Sequence, residues 1–343
     1  MKTTLVALAL TATVAGGLDA QEAHRLRGAD VAIYNLAGRA EVRRGTGSEV
    51  VVRLARGGAD AQRLDVVVGE IRGRETLRVI YPDDEVIYEG MGRGSNTNLR
   101  VRDDGTFGGG GGGERVRIRG SGRGLEAWAD LVVEVPAGRS LSLNVAAGDV
   151  ELDGVDGRIS VDTGSGQVTA TDMRGALSID TGSGGVRVTG MGGDLLVDTG
   201  SGSVVVRDVA GRDVTVDTGS GRVTGSGIRA DALRVDTGSG SIELDDVTSA
   251  DVVLDTGSGS VDIGLTRDID RLDIDTGSGS VTVRAPASLG ADVEVDTGSG
   301  GIDVDFAVQV RTVRRDHLEG RIGDGQGRIR IDTGSGSIRL VRN

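Results

Sequence analysis

The residues with the clearest chemical potential are aspartates that follow short hydrophobic runs. At 195–204 the sequence reads LLVDTGSGSV, in which Asp198 starts the pentapeptide Asp-Thr-Gly-Ser-Gly. Such a carboxylate, beside hydroxyl groups, could act as a general acid or base if a second carboxylate shared its proton. It could instead start a turn or bind a cation. The number and spacing of these aspartates decide among the three roles.

The pentapeptide is a repeat element. Its nine copies begin at Asp162, Asp180, Asp198, Asp217, Asp236, Asp255, Asp275, Asp296 and Asp332. Counted from a degenerate copy at Asn144, the starts recur at a nearly constant spacing, except that the final interval is about twice as long. Asp-Thr-Gly-Ser also resembles the active-site loop of pepsin-like aspartic proteases, but those enzymes need one pair of facing aspartates. Nine copies at a period of about 20 residues exclude that interpretation and indicate a solenoid.

The residues around each pentapeptide predict the strands that position it. Leu195 and Val197 precede Asp198 with a period of two, and Val204 follows six residues after it. The other copies have the same spacing, which is typical of strands with one buried face. Each repeat therefore reads as a strand, a tight bend at Thr-Gly-Ser-Gly, a second strand and a looser bend. We predict an all-β fold, a parallel β-solenoid of about ten coils, each of about 18–21 residues.

The aspartates have a structural role in this prediction. An aspartate carboxylate can accept the N–H two residues on, in an Asx turn, and glycines permit the positive φ of a tight bend. The predicted turn ladder is represented by Asp162, Gly164, Gly166, Asp198, Gly200, Gly202, Asp296 and Asp332. Stacking would bring carboxylates to about 5 Å from one another, where they repel. They could splay into water, raise their pKa values or bind cations.

Calcium is the one cofactor that this stacking suggests. The candidate ligands are Asp162, Asp180, Asp198, Asp217, Asp236, Asp255 and Asp275. Threonine and serine oxygens of the repeats could complete such sites. No other cofactor and no other metal is expected.

Composition narrows the function further. The net charge is −13 and Lys2 is the only lysine, which argues against a nucleic-acid partner. The chain has no cysteine and two histidines, His24 and His317, far apart in sequence. Neither a histidine-based catalytic triad nor a thiolate metal site can be assembled from them. We expect that the protein is not an enzyme. A polysaccharide-cleaving β-helix with two acids in a groove is the alternative.

The chain divides into three segments. Residues 1–20 have the charged start, apolar core and small-residue end of a signal peptide, so we expect export and no membrane span after cleavage. Residues 21–139 lack the pentapeptide but alternate like strands, and predict a β-rich cap with divergent opening coils, in which Tyr81, Tyr88 and Trp128 form core. Residues 140–343 form the repeat solenoid.

The long final interval contains the densest group of arginines. We expect that one coil in it has lost the pentapeptide, or that a hairpin projects. Arg311, Arg314 and Arg315 could contact an anionic polymer, or form a solvated face paired with aspartates. If residues 306–328 do not cover the solenoid end, copies of the chain should associate through it.

The opening VAIYNLAGRAEV, the repeated VDTGSGSV and the closing GRIGDGQGRIRIDTGSGSIRLVRN together resemble a bacterial family of unknown function that carries the label "putative adhesin". The resemblance covers nearly all of the chain after residue 20. It implies a β-solenoid in the cell envelope and no established activity. We therefore expect a non-catalytic scaffold in the periplasm, on the outer-membrane surface or outside the cell. Its polar faces would bind a protein or polysaccharide there.

Overall fold

The computed structural model describes residues 22–109 and 112–343. The predicted signal peptide, residues 1–20, lies outside the described residues. The prediction of an all-β protein is confirmed, because the described residues form thirty strands, two 3-10 helices and no α-helix. Over this same part of the chain, no helix has the length and apolarity needed to cross a membrane.

The first twelve strands precede the first pentapeptide. They are β1 (Glu22–Leu26), β2 (Asp30–Ala37), β3 (Ala40–Gly45), β4 (Val50–Gly57), β5 (Asp65–Ile71), β6 (Arg74–Ile80), β7 (Glu85–Ile87), β8 (Asn96–Val101), β9 (Glu114–Arg119), β10 (Leu125–Glu126), β11 (Trp128–Pro136) and β12 (Arg139–Ala147). The 3-10 helices are η1 (Ala61–Arg63) and η2 (Glu89–Met91).

The remaining eighteen strands include those that carry or flank the pentapeptides. They are β13 (Val150–Asp153), β14 (Asp156–Ser165), β15 (Val168–Ser183), β16 (Val186–Gly192), β17 (Leu195–Thr199), β18 (Val204–Ala210), β19 (Asp213–Thr218), β20 (Val223–Thr237), β21 (Ile242–Thr256), β22 (Val261–Leu265), β23 (Arg271–Thr276), β24 (Val281–Ala285), β25 (Ala291–Thr297), β26 (Ile302–Val304), β27 (Val308–Val313), β28 (His317–Ile322), β29 (Gly327–Thr333) and β30 (Ile338–Arg342).

Strand pairing builds two long ladders, which we call ladder A and ladder B. Ladder A runs β5-β6-β2-β12-β14-β15-β17-β19-β20-β21-β23-β29-β25-β28-β27. Ladder B runs β1-β4-β11-β3-β13-β15-β16-β18-β20-β21-β22-β24-β30-β26. From β2 to β25, neighbours in ladder A are parallel, and the chain alternates between the ladders. The arrangement is β-solenoid-like.

The hydrophobic alternation explains the shared core. Leu195 and Val197 on ladder A and Val204 on ladder B are all at most 2% exposed. Each repeat contributes one strand to each ladder, and we call this pair of strands a layer. The equivalent residues of neighbouring layers occupy the same register, so aliphatic side chains stack on aliphatic side chains along the whole axis. Burying each such side chain contributes about 1.5–3 kcal/mol. The core is therefore a continuous column with almost no aromatic residues.

A second, four-stranded sheet flanks the first layers. It consists of β10, β7, β9 and β8, and we call it the side sheet. Tyr88 and Phe107 at this sheet are buried against Ala146 and Ala147 of β12. Tyr88 also lies 5.8 Å from the Trp128 ring, centroid to centroid. These aromatic residues therefore pack the side sheet onto the stack.

The C-terminal layers are not stacked in sequence order. Strand β29, which contains Asp332, pairs in parallel with β23 on one side and with β25 on the other. The layer of Asp332 thus lies between the layers of Asp275 and Asp296. The long final interval arises because the chain first builds β25 and β26 and then an antiparallel hairpin, β27 and β28, before it returns. Of the two alternatives for this interval, the hairpin is what the structure shows.

The hairpin also covers the last parallel strand, since β28 pairs with β25. The condition under which we expected an uncovered end, residues 306–328 failing to fold over it, is therefore not met. The outermost strand of ladder A is β27.

Candidate binding surface

From the repeat of Asp198 onward, the tight corner is held by the threonine of the pentapeptide. The threonines are at most 3% exposed, and their hydroxyl groups lie inside the stack. In the central layers, Thr237 Oγ1 donates to the carbonyl oxygen of Gly221 in the preceding layer at 3.1 Å. The same oxygen accepts the N–H of Gly240 in its own corner at 3.0 Å. Thr199, Thr218 and Thr256 make the same two bonds, so in these layers the threonine both closes its turn and ties it to the layer before.

This corrects the expected role of the aspartate. We predicted an Asx turn in which Asp198 accepts the N–H of Gly200, but that N–H donates to the carbonyl oxygen of Thr181 at 3.0 Å. The parallel ladder uses this amide, so the carboxylate cannot. The sequence contained a signal for the threonine, since the in-out alternation of Leu195 and Val197, continued for one more pair, places Thr199 inside.

The glycines of the corner are required mainly by close stacking. In the central layers, neither glycine has φ in the left-handed region. A Cβ added to Gly240 would overlap the carbonyl oxygen of Gly221, and a Cβ on Gly221 would overlap that of Gly202. Gly166 and Gly336 are the two pentapeptide glycines with positive φ. Our expectation that positive φ explains these glycines holds only at these layers.

The corner differs where the side sheet covers it. Thr163 and Thr181 have buried hydroxyl oxygens without a hydrogen-bond partner in the described structure. Here ladder A pairing continues through Ser165 and Ser183, and Thr97 of the side sheet shares a hydrogen bond with Ser165 at 2.8 Å between their Oγ atoms. Contact with the side sheet therefore accompanies a more extended corner, in which the threonine bridge is absent.

The nine aspartates form one column on the outside of ladder A, the aspartate row. Its members, in stacking order, are Asp162, Asp180, Asp198, Asp217, Asp236, Asp255, Asp275, Asp332 and Asp296. Neighbouring strands are about 4.8 Å apart, so the carboxylates lie side by side rather than facing one another across a cleft. Asn144 continues the row at one end, and His317 ends it at the other, where its Nδ1 lies 2.7 Å from Asp296 Oδ1.

Stacking changes the acidity of the row. Burial raises the pKa of Asp162, with a further contribution from Asp180, and Gly108 lies against that carboxylate. Burial is also the larger cause, and neighbouring carboxylates the smaller, of the raised pKa values of Asp180, Asp217, Asp255 and Asp332. Of the three responses open to stacked carboxylates, a raised pKa is therefore present in these members of the row.

The calcium hypothesis is not carried further by the geometry. Among the described residues, no three aspartate, glutamate or histidine side chains are grouped so that they could hold a metal ion. Calcium binding by the seven candidate aspartates stays a prediction.

The arginines of the long interval lie on and just after β27. Arg311 bridges Asp292 at 3.2 Å and Glu319 at 3.5 Å. Within the described chain, Arg314 and Arg315 form no ion pair. Of this cluster, only Arg311 is thus paired with acids. The guanidinium groups of Arg314 and Arg315 lie at the edge of ladder A.

A polar groove of about 450 Å³ lies between the side sheet and the corner of the first layers. Its lining includes Asn96 and Ser95 from the side sheet and Ser165, Ser183 and Asp149 from the stack. Asp149 is the groove's one acidic lining residue, and its Oδ1 accepts the N–H of Gln167 at 2.9 Å. No pattern in the sequence indicates this groove, because it depends on where the side sheet folds back.

Together, the fold and the row define an all-β, β-solenoid-like protein with a repetitive acidic face. Residues 191–341 match the family described as Toastrack DUF4097, a domain of unknown function. No curated protein matches the chain. A crystal structure of a "putative cell adhesion protein" from Clostridium sporogenes aligns with 94% of this chain and 100% of its own, at 9% identity. The TM-score of that alignment is 0.17, too low to support a structural argument.

The threonine bridge predicts a difference between two otherwise similar substitutions. Thr237→Val removes both bonds and leaves the Gly240 N–H and the Gly221 carbonyl oxygen unsatisfied, so we expect a loss of about 1–3 kcal/mol of unfolding free energy. Thr181→Val, its control, replaces an unpartnered hydroxyl by a methyl group and should be neutral or stabilising. Urea unfolding of both variants measures this. Equal losses would contradict the bridge.

The raised pKa values predict a pH dependence with a definite sign. The pKa of Asp217 is higher in the folded than in the unfolded chain, so ionising it costs stability as pH rises through the folded value. Asp217→Asn should therefore raise the melting temperature at pH 7. The gain should shrink as pH falls through the folded value and vanish well below about pH 3.9, the unfolded value, where both states are protonated.

Asp194 provides the opposite case for this measurement. Its hydrogen bond from Arg212 lowers its pKa, so its ionised form stabilises the fold at pH 7, and this stability is lost as pH falls through the lowered value. Asp194→Asn should lower the melting temperature at neutral pH. Shifts of the same sign for the two variants would contradict the assigned causes.

Calcium binding to the aspartate row has a direct test. If the ion bridges adjacent carboxylates, millimolar calcium should raise the melting temperature relative to EDTA, and the triple variant Asp217→Asn, Asp236→Asn and Asp255→Asn should respond less than the unaltered chain. Identical melts of the unaltered chain in calcium and in EDTA would end the hypothesis.

Proposed function

We propose that the chain is a non-catalytic, exported, adhesin-like scaffold that binds a protein or polymer of the cell envelope or cell surface along its polar ladder faces. We further interpret the stack as a parallel β-solenoid of about ten coils. The observation that carries the functional proposal is the unbroken register of the aspartate row, which presents the same acceptor group once per layer.

The chemistry of the row defines the kind of partner. An ionised carboxylate only accepts hydrogen bonds, and among the described residues the row from Asp162 to Asp275 forms no ion pair with the chain's own arginines. A fitting partner therefore offers hydroxyl or ammonium donors at repeated positions, as a polysaccharide or an extended basic peptide does. The net charge of −13 favours the same partners.

Repetition supplies the affinity that one layer cannot. A single carboxylate exposed to water contributes about 0–1 kcal/mol to an ionic contact. When many equivalent contacts are made by one polymer, each further contact is intramolecular, and the total affinity can rise by orders of magnitude. The corner threonines and glycines keep the spacing constant, which such binding requires.

The equivalence of the layers supports a non-catalytic role. Acid–base catalysis by two carboxylates needs environments that separate their pKa values. Along most of the row, each carboxylate instead has a carboxylate on either side. The alternative, a polysaccharide-cleaving enzyme, needs two acids in a groove outside the repeat register, and the groove beside the side sheet offers Asp149 alone.

The proposal predicts binding that depends on the row and not on charge in general. The triple variant Asp217→Asn, Asp236→Asn and Asp255→Asn keeps the shape but removes three carboxylates, and we expect at least a tenfold weaker affinity for a bound polymer. A control of equal charge change on ladder B is Glu243→Gln, Asp245→Asn and Asp262→Asn. Binding to purified envelope polysaccharides and to basic peptides, measured by microscale thermophoresis, compares them.

Two results would contradict this function. Equal affinities of the two triple variants would show that the row is not the binding face. Protection of the protein in intact cells from added protease, together with no binding to any envelope fraction, would contradict an adhesin-like role.

A further inference from the structure

The two outermost strands of ladder A share a feature that its inner strands lack. Strand β5 pairs only with β6, and β27 pairs only with β28, within the described chain. Each therefore presents an unpaired row of backbone N–H and C=O groups, of seven and six residues. Natural proteins usually protect such edges, because an open edge pairs readily with another strand.

Exposed hydrophobic residues are concentrated on these same two strands. The described chain has five large hydrophobic residues that are exposed, and four of them are Val67 and Val68 on β5 and Val310 and Val313 on β27. Val313 is the most exposed, at 66%. The fifth, Leu196, lies in the middle of the stack. Exposed valines at both ends of one ladder are not explained by the packing of a single copy.

Cross-strand partners show which way these valines point. Val68 lies opposite buried Leu77. On the other strand, Val310 lies opposite buried Gly320, and Val313 opposite buried Leu318. Residues opposite each other in a pair share one face of the sheet. Val68, Val310 and Val313 therefore continue the core column beyond the last layer at each end.

The two edges also match in direction. Strand β27 runs parallel to the repeat strands, because it is antiparallel to β28 and β28 is antiparallel to β25. Strand β5 runs opposite to them, because it is antiparallel to β6 and β6 is parallel to β2. A copy displaced along the stack axis would thus bring its β5 to β27 as an antiparallel pair.

Charge matches in the same orientation. Strand β5 carries two acids, Asp65 and Glu70, and no basic residue, and neither acid forms an ion pair within the described chain. An antiparallel pair places the start of β5 beside the end of β27, where Arg314 and Arg315 follow. A register with Val66 opposite Val313 brings Asp65 to Arg314. The irregularity of β27 between Val310 and Thr312 then lets Val68 reach Val310.

We propose that the chain associates head to tail with further copies of itself, through antiparallel pairing of β5 of one copy with β27 of the next. The contact is heterologous, so it leaves a free β5 at one end and a free β27 at the other, and growth continues. Each added copy extends ladder A. The proposal does not depend on what binds the aspartate row.

Sedimentation velocity of the full chain over a range of concentrations tests this. We expect the weight-average mass to rise at least about twofold from micromolar to hundreds of micromolar protein. Val310→Lys and Val68→Lys each place a charge on one edge, and should each keep the chain monomeric. Leu196→Lys alters the exposed hydrophobic residue that lies in the middle of the stack, away from both edges, and should leave association unchanged. A monomer at every concentration, or association of Val310→Lys like that of the unaltered chain, would overturn the proposal.

A mixing experiment identifies the pairing. The Val310→Lys copy keeps a working β5 and the Val68→Lys copy keeps a working β27, so their mixture should form a dimer and nothing larger. A mixture that stays monomeric would overturn the β5–β27 pairing, and so would growth beyond the dimer. Circular dichroism melts of each variant establish that it is folded.

A charge exchange provides a second route if a lysine variant fails to fold. Asp65→Arg and Arg314→Asp should each weaken association, and the double variant, which restores opposite charges across the contact, should recover most of it. Association that is no stronger in the double variant than in either single one would contradict the register.

Discussion

The structure depends on one constraint, that neighbouring layers repeat in register at the spacing of a hydrogen-bonded strand pair. Every part of a layer must then fit within about 4.8 Å along the axis, including its corners. Side chains that point outward or inward from a strand fit this spacing easily, but a bulky corner would force neighbouring layers apart. Glycine removes the Cβ that would overlap the layer before, and the threonine hydroxyl replaces the hydrogen bonds that a bend would otherwise lose. The corner is therefore built to fit the spacing that the strand pairs of both ladders set.

The same constraint determines the surface. Because each residue lies over its equivalent, any outward position becomes a row of like groups, and an ionisable position becomes a row of like charges. Along the aspartate row the like charges repel one another, and the pKa values of several members are raised. On other faces, oppositely charged side chains reduce such repulsion. On ladder B, Arg284 pairs with Asp262 and Asp245 of two preceding layers, and such exposed pairs contribute modestly. An aspartate row that forms no ion pair with arginine, within the described chain, is thus a distinctive property of this face.

Much of this architecture was predictable from the sequence, because it is local and repeated. The alternation around Asp198, its recurrence at a nearly constant spacing and the paired glycines predict strands, corners and stacking. The threonine bridge follows from the same alternation, although we had assigned the turn to the aspartate. The groove at Asn96 and the placement of Asp332 could not be predicted, since identical pentapeptides carry no information about which layer lies next to which. Those features depend on contacts between residues distant in sequence.

The insertion of β29 between β23 and β25 has a consequence for how the chain reaches this state. Central layers can be added one after another, each on a surface already formed, and each pairs with a layer about 20 residues earlier in the chain, so the loops to be closed are short. The layer of Asp275 instead lacks its native neighbour until residues 327–333, which follow the hairpin of β27 and β28 in sequence, are available. A chain that folds from its N-terminal side therefore leaves the hydrophobic edge of this layer uncovered until β29 is in place. Strand β29 is bonded on both sides, to β23 and β25, and β30, which leads to Asn343, is bonded on both sides to β24 and β26. Force applied at Asn343 would therefore have to shear two strand pairs at once. The last layer in sequence thereby resists the separation of the two earlier layers between which it lies.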